Sequence, residues 1–350
     1  MFKKVISLMV ASMLLLSVFS GCTSKGGDST AGAQTSQNTT APAAKPTKQT
    51  VLRLAEIHPG DYPTTLGDKE FARLVEERTN GRIKIEVYFG AQLGQEKAVI
   101  EQTQFGAIDF ARISLSPVSE FAKELNVLQL PYIYRDAEHM WKVLDGQIGQ
   151  DLLKSVEKAK LTGLCYYDAG SRNFYNSKRE IKSVADLKGL KIRVQESKMM
   201  MEMIKALGAS ATPMAMGEVY SALQTGVIDG AENNWPSYVS ASHNEVAKFY
   251  TVDGHTRVPE IIVASQMTMT KLSKEDQDII RQASKDSVKF QKEKWAEKEK
   301  ADEQKAISSG AKVTRLDAKT IEEFQKAVAP LYDEYGKDHK DLIKRIQDTK

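Results

Sequence analysis

The sequence predicts an α/β protein of two lobes with a ligand cleft between them. In residues 82–88 and 190–194, apolar and charged side chains alternate, as they do in a strand with one buried face. The segments Gln104–Ala111 and Gln224–Ala231 share the order Gln, any residue, Gly, Ala or Val, Ile, Asp, any residue, Ala. Each segment follows a helical stretch, and each helical stretch follows one of the two strands. Two similar α/β units at this separation imply two lobes.

The beginning of the chain predicts export. Residues 1–21 carry two lysines and then an apolar run from Val5 to Phe19, which indicates a secretory signal peptide too short for a comfortable transmembrane helix. The residues before Cys22 resemble a bacterial lipobox, with Phe19 where that pattern usually has Leu. We therefore expect Cys22 to become the acylated first residue of a lipoprotein. The alternative is an ordinary signal peptide with an incidental cysteine.

A tether and one large folded body follow. Residues 22–50 are rich in Ser, Thr, Gly, Ala, Gln, Pro and Lys and carry no large apolar side chain, so they predict a disordered tether. Residues 51–350 are ample for two lobes with their own cores. Lys and Arg number 49 against 46 Asp and Glu, and the two signs are mixed along the chain, which disfavours binding to nucleic acid. Cys165 is the one cysteine of this body, so no internal disulfide is expected.

The first lobe is predicted at about residues 51–130 with part of 250–270. A βαβ unit opens it, and the loop after its first strand carries Glu56 and His58. Ligands sit at the carboxyl ends of strands in open α/β sheets, so both side chains are candidates for the cleft. The alternative is that Glu56 caps the next helix and His58 is exposed. Glu96 opens the following helix and is a further candidate.

The second lobe is predicted at about residues 131–250. A strand at 161–167 delivers Arg172 to its carboxyl end, although a surface ion pair is the usual fate of such an arginine. Arg193 lies on the charged face of the strand at 190–194, where rigid backbone aims its guanidinium.

Two asparagines and a further arginine complete the predicted site. Asn233 and Asn234 follow the second of the two matching segments and face the same crevice. A fixed guanidinium beside a cluster of amides suits a small, hydroxylated carboxylate. In the first lobe, Arg112 occupies the place that Glu232 holds in the second, which makes Arg112 a candidate as well.

The carboxyl-terminal residues, at about 273–350, predict bracing helices. One helix begins near Ser273 and runs to about Ser308, with apolar residues on one side and mixed charges on the other. A further helical region starts at Asp317. A helix of such length can pack across both lobes.

The body resembles the extracytoplasmic solute receptors of tripartite ATP-independent periplasmic (TRAP) transporters, and the resemblance covers nearly all of residues 51–350. The motifs that carry it are Gln92-Leu-Gly, Leu130-Pro-Tyr, Gly170-Ser-Arg172, Asp186–Val194, Glu218–Asn233 and Gly254-His255. The resemblance implies a two-lobed periplasmic binding protein fold that closes over its ligand. It also implies that Arg193 forms the main ion pair with a substrate carboxylate, assisted by Arg172 and Asn233.

Within that family the chain is similar to members that bind hexuronates. The segments that carry this finer resemblance are Glu56–Pro63, Phe110–Arg112 and Glu232–Pro236. The resemblance implies an extracytoplasmic, lipid-anchored or periplasmic monomer that passes D-glucuronate or D-galacturonate to a TRAP permease. A dicarboxylate or 2-oxo acid as ligand, or a sensor in place of a transport receptor, are the alternatives.

An enzyme acting on the same ligand is the poorer hypothesis. Glu56 with Glu96 or Glu232 could form an acid and base pair. The sequence carries no nucleophile elbow, no His-Glu-x-x-His and no phosphate-binding loop, and its five histidines lack metal-ligand spacing. We therefore expect no catalytic residue, no metal and no cofactor.

Overall fold

The computed structural model describes residues 49–350, and the predicted signal peptide, Cys22 and nearly all of the predicted tether lie outside that range. The strands of the described residues are β1 (Thr50–Ala55), β2 (Ile83–Tyr88), β3 (Phe110–Ser114), β4 (Leu161–Tyr167), β5 (Arg172–Asn176), β6 (Lys191–Val194), β7 (Ser210–Pro213), β8 (Gly230–Asn233), β9 (Phe249–Thr256), β10 (Glu260–Ser265) and β11 (Lys312–Arg315). They form two sheets, with the orders β2-β1-β3-β10-β4 and β11-β9-β5-β8-β6-β7.

The helices of the same residues connect and cover the sheets. The α-helices are α1 (Pro63–Arg78), α2 (Glu96–Gln104), α3 (Leu115–Ser119), α4 (Ala137–Asp145), α5 (Gln147–Ser155), α6 (Lys198–Ala206), α7 (Val219–Thr225), α8 (Trp235–Ser240), α9 (His243–Val246), α10 (Gln266–Met269), α11 (Lys274–Ser308), α12 (Ala318–Val328), α13 (Pro330–Gly336) and α14 (Lys340–Asp348). Short 3-10 helices lie at Lys123–Gln129, Val156–Ala159, Val184–Leu187 and Met216–Glu218. None of the helices in residues 49–350 is long and apolar enough to cross a membrane.

In the first sheet, three strand ends meet at one edge. β1 pairs in parallel with β2 and β3, through the crossover helices α1 and α2, and β10 runs antiparallel to β3. Glu260, the first residue of β10, is therefore the partner of Ser114, the last residue of β3. The carboxyl ends of β1 and β3 and the amino end of β10 thus lie together.

The second sheet presents a matching edge. β6 and β8 are parallel neighbours, and β5 runs antiparallel to β8. Asn233, the last residue of β8, pairs with Asn173 near the start of β5. The carboxyl ends of β6 and β8 and the amino end of β5 thus bring Arg193, Asn233 and Arg172 to one edge.

The long helix α11 packs against both halves of the molecule. Its 35 residues make it about 50 Å long. Ile280 and Ala283 are buried in the core beneath the first sheet, and Ala306 is buried in a core of the second. Between them, Trp295 contacts Tyr62 edge to face, with ring centroids 6.0 Å apart. The predicted α/β fold with a long helix that spans both halves is confirmed.

The division between the sheets differs from the predicted boundary near residue 130. β4 was expected in the second lobe, but it lies at the edge of the first sheet, paired antiparallel with β10. The physical reason is that α4 and α5, which precede β4, share a core with β3 and β10 of the first sheet. The chain enters the second sheet only at β5. The helical region predicted from Asp317 consists of three separate helices, α12 to α14.

Candidate ligand-binding site between the two sheets

The two strand edges line a narrow cavity. Its walls are formed by Ile57, His58, Glu96, Ser114, Arg172, Arg193, Gln195, Met216, Asn233, Asn234, Ser237 and Glu260. The first-sheet side supplies the carboxylates, and the second-sheet side supplies the guanidinium groups. We call these the acidic wall (Glu96, Ser114 and Glu260) and the basic wall (Arg172, Arg193 and Asn233).

The two sides touch beside the cavity. Tyr62 directly precedes α1, and its hydroxyl lies 2.8 Å from the hydroxyl of Ser237 in α8. At another point the backbone N–H of Lys198 donates to Glu120 Oε1 at 2.8 Å. These polar contacts join the halves while leaving the cavity between them.

Arg193 is a buried cation that has no anionic partner among residues 49–350. Its Nε and Nη2 donate to the carbonyl oxygen of Met214 at 2.9 and 2.6 Å. No carboxylate of residues 49–350 lies within ion-pair distance of this guanidinium, and its remaining N–H groups are uncommitted. Burial lowers the pKa of Arg193, an effect that the more distant charge of Glu232 opposes. A buried unpaired charge is costly, so this side chain is poised to accept an anion.

Arg172 is held rigidly by its own carboxylate. It makes a two-pronged ion pair with Glu232, in which Nη2 donates to Oε1 at 2.8 Å and Nε donates to Oε2. Its Nη1 donates to Asn233 Oδ1 at 3.0 Å, which leaves one Nη1 hydrogen for a ligand. Such a fork fixes the plane of the guanidinium.

His255 lies beside the carboxylate of that ion pair. His255 lies with Nε2 3.4 Å from Glu232 Oε2 and Nδ1 2.8 Å from Asp253 Oδ2. Burial lowers the pKa of His255, but the two carboxylates outweigh it and raise the pKa to about 9. For Glu232 burial acts in the opposite direction and raises the pKa, but Arg172 and His255 outweigh burial and lower the pKa to about 2. Both groups are therefore charged at neutral pH.

The two asparagines have different tasks. Asn233 Oδ1 accepts from Arg172 and from the N–H of Asn234 at 2.9 Å, so its Nδ2 points elsewhere, toward the sulfur of Met216 at 3.8 Å. Sulfur is a weak acceptor, which leaves that amide free to donate to a ligand. Asn234 instead caps α8: its Oδ1 accepts from the N–H of Ser237 at 2.8 Å, and its Nδ2 donates to Ala169 O at 3.0 Å. Asn234 therefore borders the cavity with its amide already engaged.

Arg112 does not line the cavity, contrary to its predicted ligand contact. Its Nη1 donates to Glu96 at 3.0 Å and to Glu260 at 2.7 Å, and its Nε donates to Glu56 at 2.9 Å. These three carboxylates surround the buried guanidinium and hold its pKa well above the usual range despite burial. Arg112 thus orients the acidic wall.

Glu56 also lies behind the wall. Besides Arg112, its oxygens accept from the Thr64 hydroxyl at 2.7 Å and from the N–H of His58 at 2.8 Å. Within residues 49–350, the hydrogen bonds of Glu56 all go to other protein groups, so the predicted contact of Glu56 with a ligand in the cleft is not supported. Burial raises its pKa, but the Arg112 charge prevails and lowers it to about 2.

His58 does reach the cavity. Its ring stacks on Tyr62 with centroids 3.8 Å apart, and neither ring nitrogen has a hydrogen-bond partner within residues 49–350. Burial, followed by the charge of Arg112, lowers the pKa of His58 to about 3. A neutral imidazole can donate one hydrogen bond and accept another, which suits a hydroxyl group.

Sequence reasoning missed several wall residues. Gln195 directly follows β6, two positions after Arg193, and its Oε1 is buried without a partner among the described residues. Strand alternation was a signal that could have found it. Glu260 and Ser114 are brought together by the antiparallel pairing of β10 with β3, and no local sequence pattern predicts that pairing. In the described residues no group of His, Cys, Asp and Glu is arranged to hold a metal ion.

A charged cavity between two α/β units braced by a long helix is the architecture of a protein that closes over a small solute. Comparison with known proteins agrees. The family described as bacterial extracellular solute-binding protein, family 7, matches residues 54–338, and the chain belongs to this family of TRAP-type solute receptors. A solute-binding protein of Chromohalobacter salexigens is 38% identical over 83% of this chain and 86% of its own.

Solved structures extend the comparison. A TRAP periplasmic solute-binding protein of Bradyrhizobium sp. BTAi1, in complex with D-galacturonate, is 45% identical with a TM-score of 0.83, over 85% of this chain and 99% of that one. The corresponding protein of Pseudomonas putida F1, with bound D-glucuronate, is 38% identical with the same TM-score, over 85% and 97%. A periplasmic protein of Escherichia coli that binds 2,3-diketo-L-gulonate is 34% identical over 72% of this chain and 77% of its own.

Proposed function

We propose that this receptor captures a hexuronate, D-galacturonate or D-glucuronate, and delivers it to a TRAP permease. The observation that carries the proposal is Arg193, a buried guanidinium that faces the cavity without a carboxylate partner in residues 49–350. The complexes of the Bradyrhizobium and Pseudomonas relatives with galacturonate and glucuronate support the choice of ligand.

The basic wall would bind the carboxylate. Arg193 offers its uncommitted N–H groups, Arg172 offers its remaining Nη1 hydrogen, and Asn233 offers Nδ2. A carboxylate has two oxygens with about four acceptor positions, so these donors can all be used at once. Because Arg172 is already neutralised by Glu232, the net attraction rests on Arg193.

The opposite side would bind the hydroxyl groups. Glu96 accepts from Arg112 and from the N–H of Ser114 through Oε1, which leaves Oε2 open. Neutral His58 and the unpartnered Oε1 of Gln195 supply further positions. A ligand with one carboxylate and several hydroxyls pairs these groups, whereas an apolar acid leaves them unpaired at a cost of about 1–3 kcal/mol each.

Ligand binding would stabilise the arrangement in which the two sides touch. The ligand contacts both walls, so its affinity is greatest for the conformation that brings the walls together. No bond in the sugar acid needs to be broken. We therefore assign no catalytic residue, cofactor or metal, and we propose that the receptor acts as a monomer.

The proposal includes the site of attachment. Cys22 follows a signal-like segment and would carry the lipid that holds the receptor on the outer face of the cytoplasmic membrane. A single acyl chain binds a membrane weakly, and additional acyl chains give stable anchoring.

Isothermal titration of the purified protein tests the ligand. D-galacturonate and D-glucuronate should bind tightly, and succinate, malate and 2-oxoglutarate should bind at least about 100-fold more weakly, equivalent to about 2.7 kcal/mol. The surface variant Arg73→Ala, whose side chain is about half exposed, serves as a matched control and should bind as the wild type does. Preferential binding of a dicarboxylate or 2-oxo acid would reject the hexuronate assignment.

A further inference from the structure

The acidic wall places two carboxyl groups side by side. Glu96 and Glu260 both accept from the same nitrogen of Arg112, at 3.0 and 2.7 Å, so their oxygens are separated by less than the sum of these distances. Ser114 contacts both, through its N–H to Glu96 at 2.7 Å and its hydroxyl to Glu260 at 3.1 Å. Both carboxyl groups border the cavity.

This wall carries more negative than positive charge. The single charge of Arg112 is shared among Glu56, Glu96 and Glu260. Burial, and then the neighbouring charge of Glu96, raise the pKa of Glu260 to about 7, although Arg112 acts against both. Across the cavity, Arg193 has no carboxylate partner in the part of the chain that the structure describes. The cavity therefore has a positive end and a negative end.

The negative end also offers mainly hydrogen-bond acceptors. Glu96 Oε2 has no hydrogen bond within residues 49–350, and each oxygen of Glu260 accepts only one. Gln195 Oε1 is buried without a partner among these residues. Hydroxyl groups of a ligand can donate to such atoms. A second carboxylate brings only acceptors and a like charge, so it is repelled on both counts.

We propose that Glu260, together with Glu96, is a specificity determinant that admits the hydroxyl end of a sugar acid and rejects a second carboxylate. The receptor then takes monocarboxylate sugar acids and excludes aldarates, in which both ends of the sugar chain are oxidised. This inference rests on the proposed function, because it assumes that the carboxylate of the ligand lies on the basic wall.

Two open-chain acids test the inference with matched shapes. D-galactonate and galactarate share a six-carbon polyol chain and differ at one end, which is CH₂OH in the first and a carboxylate in the second. Their affinities should be measured by displacement of bound D-galacturonate from the wild type and from Glu260→Gln. The amide of glutamine keeps the size of the side chain but removes its negative charge.

The wild type should bind galactarate at least about 100-fold more weakly than galacturonate. In Glu260→Gln, galactarate should bind at least tenfold more tightly than it does to the wild type, while galacturonate binds more weakly. Galactonate should not gain. These opposite changes separate a specificity role from a structural one, because a damaged site would lose affinity for all three acids.

Two results would overturn the inference. One is a galactarate affinity in Glu260→Gln that does not exceed that of the wild type, even though galacturonate binds the wild type tightly; the proposed function would then stand and the inference would fall. The other is a wild type that binds no hexuronate, which would remove the proposed function and the inference together. Glu86→Gln, whose partly exposed side chain lies on β2, is the charge-matched control and should change none of the three affinities.

Discussion

Replacing each of the two wall arginines by alanine should separate binding from stability. Arg193 donates only to the Met214 carbonyl and is buried without a carboxylate partner in residues 49–350. Arg193→Ala loses these bonds but also removes the cost of burying an unpaired charge, so the free energy of unfolding without ligand should change by about 1 kcal/mol or less. Affinity for galacturonate should fall by about 2–5 kcal/mol, roughly 30-fold to several thousand-fold.

Arg172→Ala should behave in the opposite way toward stability. Arg172 makes three hydrogen bonds to the buried Glu232, two of them to its carboxylate and one to its backbone oxygen. Its removal takes away the ion-pair partner of that carboxylate, and His255 lies further away, with Nε2 3.4 Å from Glu232 Oε2. Breaking a buried ion pair from one side costs about 3–5 kcal/mol, so the unliganded protein should unfold at a clearly lower denaturant concentration.

Urea unfolding without ligand and isothermal titration with galacturonate supply the two quantities. Arg315→Ala, on an exposed part of β11, provides the control for the loss of a surface arginine and should alter neither quantity by more than about 0.5 kcal/mol. The reasoning is refuted if Arg193→Ala destabilises the protein as much as Arg172→Ala does, because Arg193 would then be a structural cation. Unchanged affinity in Arg193→Ala would also refute it.

Three further predictions concern His255, Tyr62 and Cys22. The pKa of His255 is raised from 6.5 to about 9, so His255 contributes up to about 3 kcal/mol to the free energy of unfolding below about pH 6.5, and this contribution is lost as the pH rises through 9. Urea unfolding from pH 6 to 10 should show the decline, and His255→Gln should flatten it. Tyr62→Phe removes the 2.8 Å contact with Ser237 across the two sides and should weaken galacturonate binding about 2- to 12-fold in a titration, whereas unchanged affinity would show that this contact is not made when ligand is bound. Cys22→Ser should move the protein from the membrane fraction to the soluble extracytoplasmic fraction, and an unchanged distribution would argue against the lipid anchor.

Arg193 and Asn233 of the basic wall were predictable because local sequence patterns mark their strands, whereas Arg172 was expected beyond the strand at 161–167 and in fact begins β5. The alternation of residues 190–194 fixes which side chains share a face, and Arg193 follows from it directly. Gln195 continues the same alternation one step beyond the strand. Asn233 was found because the polar residues after an apolar strand core mark the carboxyl end, where ligands bind.

The acidic wall was less predictable because it depends on pairing between distant segments. The match between residues 104–111 and 224–231 pointed to Arg112 near a strand of the first sheet, and Arg112 lies in the middle of β3. That match could not show that carboxylates from the β1 loop, α2 and β10 surround that guanidinium and keep it from the cavity. Glu260 was not predicted as a site residue, because it reaches the cavity only through the antiparallel pairing of β10 with β3 and β4.

Sheet membership of β4 shows the same limit on a larger scale. The apolar run at 161–167 identifies a buried strand with its bounds, but it contains no signal for which sheet the strand joins. That choice is made by β10, which lies almost 100 residues further along the chain and pairs with β4 from Glu260 to Ser265. The burial of Cys165, in contrast, follows from the local composition and is confirmed.

A crystal structure of the protein with bound D-galacturonate tests the central claim most directly. We expect the ligand carboxylate within about 3 Å of the guanidinium of Arg193, with Asn233 and Arg172 beside it and hydroxyl groups donating to Glu96 and Glu260. A carboxylate bound elsewhere, or a galacturonate oriented with hydroxyl groups on Arg193, would contradict the account of how this receptor recognises its ligand.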